Sequence, residues 1–361
     1  MLELQAVSRI SLRFFAAVLG LGLLAYLVLR TGPGVVWKQV HAVGWGLALI
    51  IVLGGFSQLV KTWAWRQALT CDISGLSWSR SVGTQLVSDA VGQLGVAGKL
   101  IGDGVRLSLL SSSVPLASGI SACAIDGGLH TLTAAVVTIS GIIAALLLAP
   151  LSGGWRVHGL LLAAALLAVV ALAAVAVTNG WPLMGNTARA IGRLRWLHKW
   201  VRDKQSTIDS AEQNLLTFPR EAPKAFWASL MLNLLWHALA VLEVYVVLRF
   251  MGASIAPIGA IVLEGLTKVI NLLGALNPGN LGTYEGGNML IAKMFGVPGT
   301  AGLTLALCRR TRAAFWAGVG AMCMIVMKKP IGQTKKRGEG YEKDLFIPHA
   351  SSGGAAVGHS N

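Results

Sequence analysis

Charge is the scarcest commodity in this 361-residue chain: only 12% of residues are charged, against 54% hydrophobic. A soluble domain carries roughly a quarter charged residues. Too little polar surface is present to coat a globule in water, and the mean hydropathy of +0.66 points the same way. Acidic residues are scarcer still, 15 Asp and Glu against 30 Lys and Arg, for a formal net charge of +15. In a membrane protein such an excess sets orientation and meets anionic lipid heads, so nucleic acid is not an expected partner. The four cysteines, Cys71, Cys123, Cys308 and Cys323, lack the CxxC or Cys/His spacing of a zinc or redox site. No Walker A, GxSxG or HExxH sequence occurs, which removes the motif basis for ATP hydrolysis and common hydrolase chemistry. Neither an enzyme, a cofactor nor a metal site is expected.

Long uncharged runs are plentiful instead. Gly159 to Val177 holds nothing more polar than glycine, and about 20 such residues cross a 30 Å hydrocarbon core. Six crossings are expected, near Phe14–Leu29, Trp45–Arg66, Gly119–Leu148, Val157–Thr178, Ala225–Phe250 and within Val297–Met327. The first follows Arg9 and Arg13 like a signal peptide but lacks a small-residue cleavage site, so it reads as a retained span. Ser79–Ser113 and Pro257–Met294 are too polar and Gly-rich for lipid yet too apolar for free loops. Both read as re-entrant hairpins, because irregular backbone at membrane depth survives only where protein or water covers it.

Lys and Arg cluster in the linker 179–224 and in the tail that opens with Lys328 and Lys329. Both termini and the linker are therefore expected in the cytoplasm, touching anionic lipid, with Trp196–Leu216 lying along the surface as a helix. Trp residues such as Trp45, Trp155 and Trp227 mark the span ends. Residues 1–330 form one transmembrane domain, and 331–361 read as a disordered cytoplasmic tail. The hairpins then enter from opposite faces. Gly98-Lys99-Leu100-Ile101-Gly102-Asp103 and Gly279-Asn280-Leu281-Gly282-Thr283-Tyr284-Glu285 share a pattern of Gly, Leu, Gly and acid. They are either the trace of an inverted repeat or two independent Gly-rich loops.

Ionisable side chains at membrane depth need a partner or a purpose. Lys99, Asp103 and Arg106 lie at i, i+4 and i+7, one helical face. They form either a self-neutralising bridge or an anion-binding floor in which glycines 98, 102 and 104 open backbone N–H groups toward phosphate. Asp126 and His130 are spaced for a buried pair or a proton relay, and Glu243, beside His237 and Tyr245, allows the same two readings. The second hairpin carries Glu264 and Lys268, then Asn271, Asn277, Pro278, Asn280, Tyr284 and Glu285, a polar set suited to a headgroup. Arg309, Arg310 and Arg312 are followed by only fifteen uncharged residues. Either they lie inside a sixth span and hold an anion, or Met289–Cys308 and Ala313–Met327 are two short spans joined by an arginine turn.

These residues carry a resemblance. "GKLIGDGVRLSLL" resembles the "PGRxGGExxRxxLL" element of the lysylphosphatidylglycerol synthase transmembrane family, the flippase-like domain proteins. "NPGNLGTYEGGNMLIAKMFGV" resembles its second hallmark, "PGGxGxxEgxxxxLxxxxGv", and "LCRRT" its intramembrane arginine. Lys99 stands for the usual Arg, Asp103 for Glu and Asn280 for Gly. The resemblance implies an all-α protein of about six transmembrane helices and two re-entrant hairpins in a bacterial inner membrane. It further implies lipid handling without the separate synthase domain, whose amino-acid transfer this chain is not expected to perform. On that basis Lys99, Arg106, Arg309 and Arg310 hold phosphate, while Asp103, Glu285, Asn280 and Tyr284 orient it or meet an amine. Asp126, Glu243 or Glu264 would carry a coupling proton. The expected substrate is an anionic, polyprenyl-linked or aminoacyl lipid; a lipid-biosynthesis enzyme or a second copy of the chain is a further expected partner. A membrane scaffold in a hopanoid or glycolipid pathway is the rival reading, and an intramembrane enzyme the third.

Overall fold

A computed structural model describes residue 34 and residues 43–93, 98–148, 153–191, 202–253, 255–273 and 283–327. The chain divides into two units, Met1–Met327 and Lys328–Asn361; the second, like the expected first span Phe14–Leu29, lies outside the described residues.

Eleven helices and no strand are found among the described residues. In chain order they are α1 (Trp45–Gln67), α2 (Trp78–Gly92), α3 (Gly98–Leu110), α4 (Leu116–Leu148), α5 (Gly153–Thr178) and α6 (Leu183–Ile191). They continue with α7 (Gln205–Glu221), α8 (Pro223–Phe250), α9 (Pro257–Leu273), α10 (Thr283–Met294) and α11 (Gly299–Val326). Helix is what an apolar medium demands, since it satisfies every backbone N–H and C=O within one segment. Four helices, α1, α4, α5 and α8, are long and apolar enough to cross a bilayer. They coincide with the second to fifth expected spans. The α11 helix has 28 residues, about 42 Å at 1.5 Å per residue, and it runs unbroken through Arg309–Arg312. Two short spans joined by an arginine turn are therefore not formed: these arginines sit mid-helix.

Local signals set the helix ends. Ser77 accepts a hydrogen bond from the Arg80 amide at 3.3 Å and opens α2. Gly252 (φ 74°) and Gly296 (φ 72°) close α8 and α10 in the left-handed region. The next amides, Ala253 and Val297, then return to the carbonyls of Leu248 and Ala292 at 2.9 and 3.0 Å. Among the described residues the basic linker yields α6 and α7; the expected surface helix Trp196–Leu216 begins outside them, and its described part falls mostly in α7. Residues 192–201 lie outside the described set, and Glu212 of α7 accepts from the Met184 and Gly185 amides at 2.6 and 3.1 Å, capping α6.

Each expected hairpin is a pair of packed helices, α2 with α3 and α9 with α10. Their tips, residues 94–97 and 274–282, are outside the described set, and with them Asn277 and Asn280. The packing is reciprocal. The α1 and α8 helices pack on each other, α9 packs on α4, and α2 packs on α11. Two apolar clusters follow the same division. One joins Ile50, Val247, Leu263, Ile291 and Leu305; the other joins Trp65, Leu110, Ala122, Leu129 and Phe218. The α5 helix stands apart, packed along α4 with only Ala163 and Ala176 buried.

Glycine permits the closest crossings. A Cβ on Gly141 would come within 2.9 Å of the Gly265 Cα, where α4 meets α9. A Cβ on Gly102 would fall on the Ser88 carbonyl, where α3 meets α2. Gly98 and Gly102 thus serve helix–helix contact in this structure, whereas nothing lies within 4 Å of a Cβ on Gly104.

Candidate functional site

The charged residues fall into two groups with different geometry. The first surrounds a cavity of about 350 Å³ between α1, α2, α3, α4, α8 and α11. Lys99, Asp103 and Arg106 all line it, so the expected shared face of α3 is real and turns inward. Lys99 approaches Asp103 at 3.6 Å and leaves its side chain 60% exposed. Arg106 is only 2% exposed. Its guanidinium lies over the ring of Trp65 at 3.7 Å, a stacked cation–π arrangement that covers one face and leaves the in-plane N–H groups available. Among the described residues, Nε and Nη2 of Arg106 are buried without a hydrogen-bond partner.

Two further residues of this group escaped the sequence reading. Lys61 of α1 and Asp89 of α2 form a 2.8 Å ion pair on the cavity wall, and Gln85 donates to the same Asp89 oxygen at 2.9 Å. The signal was available: Lys61 interrupts an otherwise apolar span. Asp126 of α4 also lines the cavity, but its partner is Asn233 of α8 at 3.1 Å rather than His130. The expected Asp126–His130 pair is therefore not formed. One helical turn on, the His130 ring is drawn against α8, where it stacks on His237 at 4.7 Å and meets Trp236 edge-on at 4.9 Å.

The second group centres on α11. Arg309 donates from Nη2 to Glu264 at 2.7 Å and to the Ala240 carbonyl at 2.9 Å. Its Nη1 reaches the Tyr284 hydroxyl at 3.4 Å, and its Nε lies 3.7 Å from Glu243. Arg310 pairs with Glu285 of α10, and its guanidinium sits 5.7 Å from the Tyr284 ring centre. Arg312 donates to Glu243 of α8 at 2.7 Å, while Lys268 meets Glu264 at 2.9 Å within α9. Below the pairs, Asn288 of α10 accepts from the Thr267 hydroxyl at 2.8 Å and donates to the Tyr284 carbonyl at 2.8 Å. Three arginines thus meet three carboxylates drawn from α8, α9 and α10. Arg312 alone of the three also lines the cavity.

Of the eleven residues singled out from sequence, Lys99, Asp103, Arg106 and Asp126 come together around the cavity. Tyr284, Glu285, Arg309, Arg310, Glu243 and Glu264 come together around α11. Asn280 is outside the described residues. No cluster of His, Cys, Asp and Glu fit to hold a metal ion is found among the described residues.

Comparison with curated proteins and with solved structures returned no match. Residues 13–320 match the family described as the lysylphosphatidylglycerol synthase TM region, which spans every described helix but the last turns of α11. An all-helical, membrane-spanning protein tied by family to lipid metabolism is what sequence and fold together support: the chain belongs to the lysylphosphatidylglycerol synthase TM region family.

Proposed function

We propose that this protein is a membrane lipid translocase that receives a lipid headgroup in the cavity lined by Lys99, Asp103 and Arg106. One observation carries the reading: Arg106, a buried arginine with two donors unpartnered among the described residues, lines a cavity of about 350 Å³ inside a bundle of apolar helices. An unpaired charge there costs several kcal/mol, so its natural complement is an anion that arrives and leaves. The arginines of α11 then tie helices together, because each is held by a carboxylate.

The two helix pairs are read as re-entrant hairpins related by an inverted repeat, α1–α4 against α8–α11. Reciprocal packing supports this: α2 on α11 answers α9 on α4, and α1 on α8 is its own counterpart. Such a repeat provides two equivalent states that expose one site to opposite faces. The termini are assigned to the cytoplasmic side of an inner membrane by the basic linker and tail. The protein moves its lipid without chemical change, with Asp126, Glu243 or Glu264 available to a coupling proton.

The test is reconstitution into vesicles carrying a trace of phospholipid labelled on its acyl chain, with a membrane-impermeant quencher outside. Translocation should deplete the inner leaflet at a rate proportional to protein and fall at least about tenfold in Arg106→Gln. Vesicles with protein that keep half of the label protected as long as empty vesicles would rule the reading out.

A further inference from the structure

Glu243 of α8 stands between two arginines of α11. Its Oε2 accepts from Nη1 of Arg312 at 2.7 Å and lies 3.7 Å from Nε of Arg309. Three residues apart, the two arginines are neighbours on one helix face. Glu243 is 1% exposed, yet only one of its oxygens is used. Oε1 is buried without a hydrogen-bond partner among the described residues, and so is Nε of Arg309. An idle acceptor and an idle donor, on side chains already within ion-pair distance, define a second pairing that this arrangement leaves unmade. Both groups are already out of water, so forming it adds no desolvation to either.

The two arginines differ in what else holds them. Arg309 also has Glu264 at 2.7 Å, the Ala240 carbonyl at 2.9 Å and the Tyr284 hydroxyl at 3.4 Å. Glu264 in turn has Lys268 at 2.9 Å, so its charge stays matched when Arg309 takes on Glu243. Arg312 has no carboxylate but Glu243 within ion-pair distance among the described residues. Its side chain is 25% exposed and lines the cavity. The stem occupies the room that Gly54 of α1 leaves, since a Cβ there would come within 2.8 Å of the Arg312 Cδ. Released from Glu243, the charge of Arg312 belongs to the cavity.

We propose that Glu243 is a shared carboxylate that passes between Arg312 and Arg309, and that this exchange adds the charge of Arg312 to the cavity or withdraws it. Glu243 is thus a positioning residue. An anion entering the cavity favours the released Arg312, and with it the Glu243–Arg309 pairing. Because Arg309 also holds Glu264 of α9, the exchange couples the cavity wall to the second helix pair. This rests on the translocase reading for its purpose, but the exchange itself is tested without transport.

The experiment uses the full chain in detergent, carrying Cys71→Ser, Cys308→Ala and Cys323→Ser, so that Cys123, which lines the cavity, is the sole thiol. Its rate of reaction with an anionic methanethiosulfonate, divided by that with a cationic one, reads the charge of the cavity. Glu243→Gln frees Arg312 and should raise this ratio at least about threefold. A smaller rise would mean that the charge does not reach the cavity, and would overturn the proposal. Arg312→Gln should leave the ratio within about twofold of the parent, because Glu243 then rests on Arg309. A larger fall would show a carboxylate left unpaired, and the exchange is lost.

Thermal midpoints provide a second, independent arm. Arg309→Lys keeps a charge for Glu264 but has no Nε–H to receive Glu243. The loss caused by Arg312→Gln should be at least twice as large in the Arg309→Lys background as in the parent, whereas a fixed Arg312–Glu243 strut gives equal losses. Equal losses overturn the proposal. Should vesicles translocate lipid while the losses are equal, only the exchange falls. Should the ratios and losses follow expectation while nothing moves, only the translocase reading falls.

Discussion

Arg309 and Glu264, 45 residues apart in sequence, meet at 2.7 Å and join α11 to α9. The Arg309 side chain is 9% exposed and that of Glu264 5%. Removing one partner of such a pair strands the other, at a cost of about 3–5 kcal/mol. Arg309→Gln should therefore lower the thermal midpoint in detergent sharply, with lipid present or absent. The double variant Arg309→Gln/Glu264→Gln should recover part of that loss, because the pair is then removed together, while Lys268 loses the Glu264 it meets at 2.9 Å. An Arg309→Gln protein of full stability that no longer retains phospholipid through purification would return the arginine to the headgroup site.

Close helix contact makes a second prediction, in opposite directions at neighbouring glycines. Gly102→Ala places a methyl on the Ser88 carbonyl, and Gly302→Ala places one on the Asn288 carbonyl. Backbone cannot swing aside as a flexible side chain does, so each should cost about 1–3 kcal/mol. Gly104→Ala meets nothing within 4 Å, and it should be neutral or stabilising by up to about 1 kcal/mol. Thermal unfolding of the three variants side by side checks the order.

Glu212 bridges α7 to the start of α6 through two amide donors, Met184 and Gly185. Loss of a capping acceptor costs about 0.5–2 kcal/mol. Glu212→Ala should accelerate hydrogen exchange at the Met184 and Gly185 amides while leaving α4 and α8 unchanged. Exchange that rises throughout the protein would mean that the linker supports the whole bundle.

The topology makes a prediction of its own. Reporter fusions at Gly185 and at Gly338 should both read cytoplasmic if, as proposed, α8 and α11 both cross the membrane between the linker and the tail. In the proposed topology the unbroken α11 helix, 28 residues long, is one of those crossings. Opposite readings at the two positions would remove the inverted arrangement of the two helix pairs.

Local patterns were legible in the amino-acid order because their causes are local. Hydropathy located α1, α4, α5 and α8 within a few residues of their observed ends. The helical spacing of Lys99, Asp103 and Arg106 foretold a common face, and the pairing of Glu264 with Lys268 follows the same spacing, though the sequence analysis read them only as part of a polar set. Residues three and four apart are neighbours on any helix, whatever surrounds it. The continuity of α11 through Arg309–Arg312 was only half legible, since charge scores against a span unless its partners are known.

Those partners were decided by tertiary structure. Glu243, Glu264 and Glu285 arrive from three helices, and no spacing rule links them to α11. The same holds for Asp126, whose neighbour in sequence, His130, lost to Asn233, 107 residues away. A carboxylate in an apolar bundle takes whichever donor the packing brings, and packing is set by contacts such as Gly141 against Gly265. By itself the order of residues determined that this chain is a helical membrane protein with costly charges buried in it. Only the folded bundle decided which charges pair, and that Arg106 keeps two buried donors without a hydrogen-bond partner among the described residues, because burial and distance rather than identity fix the energy of a charge.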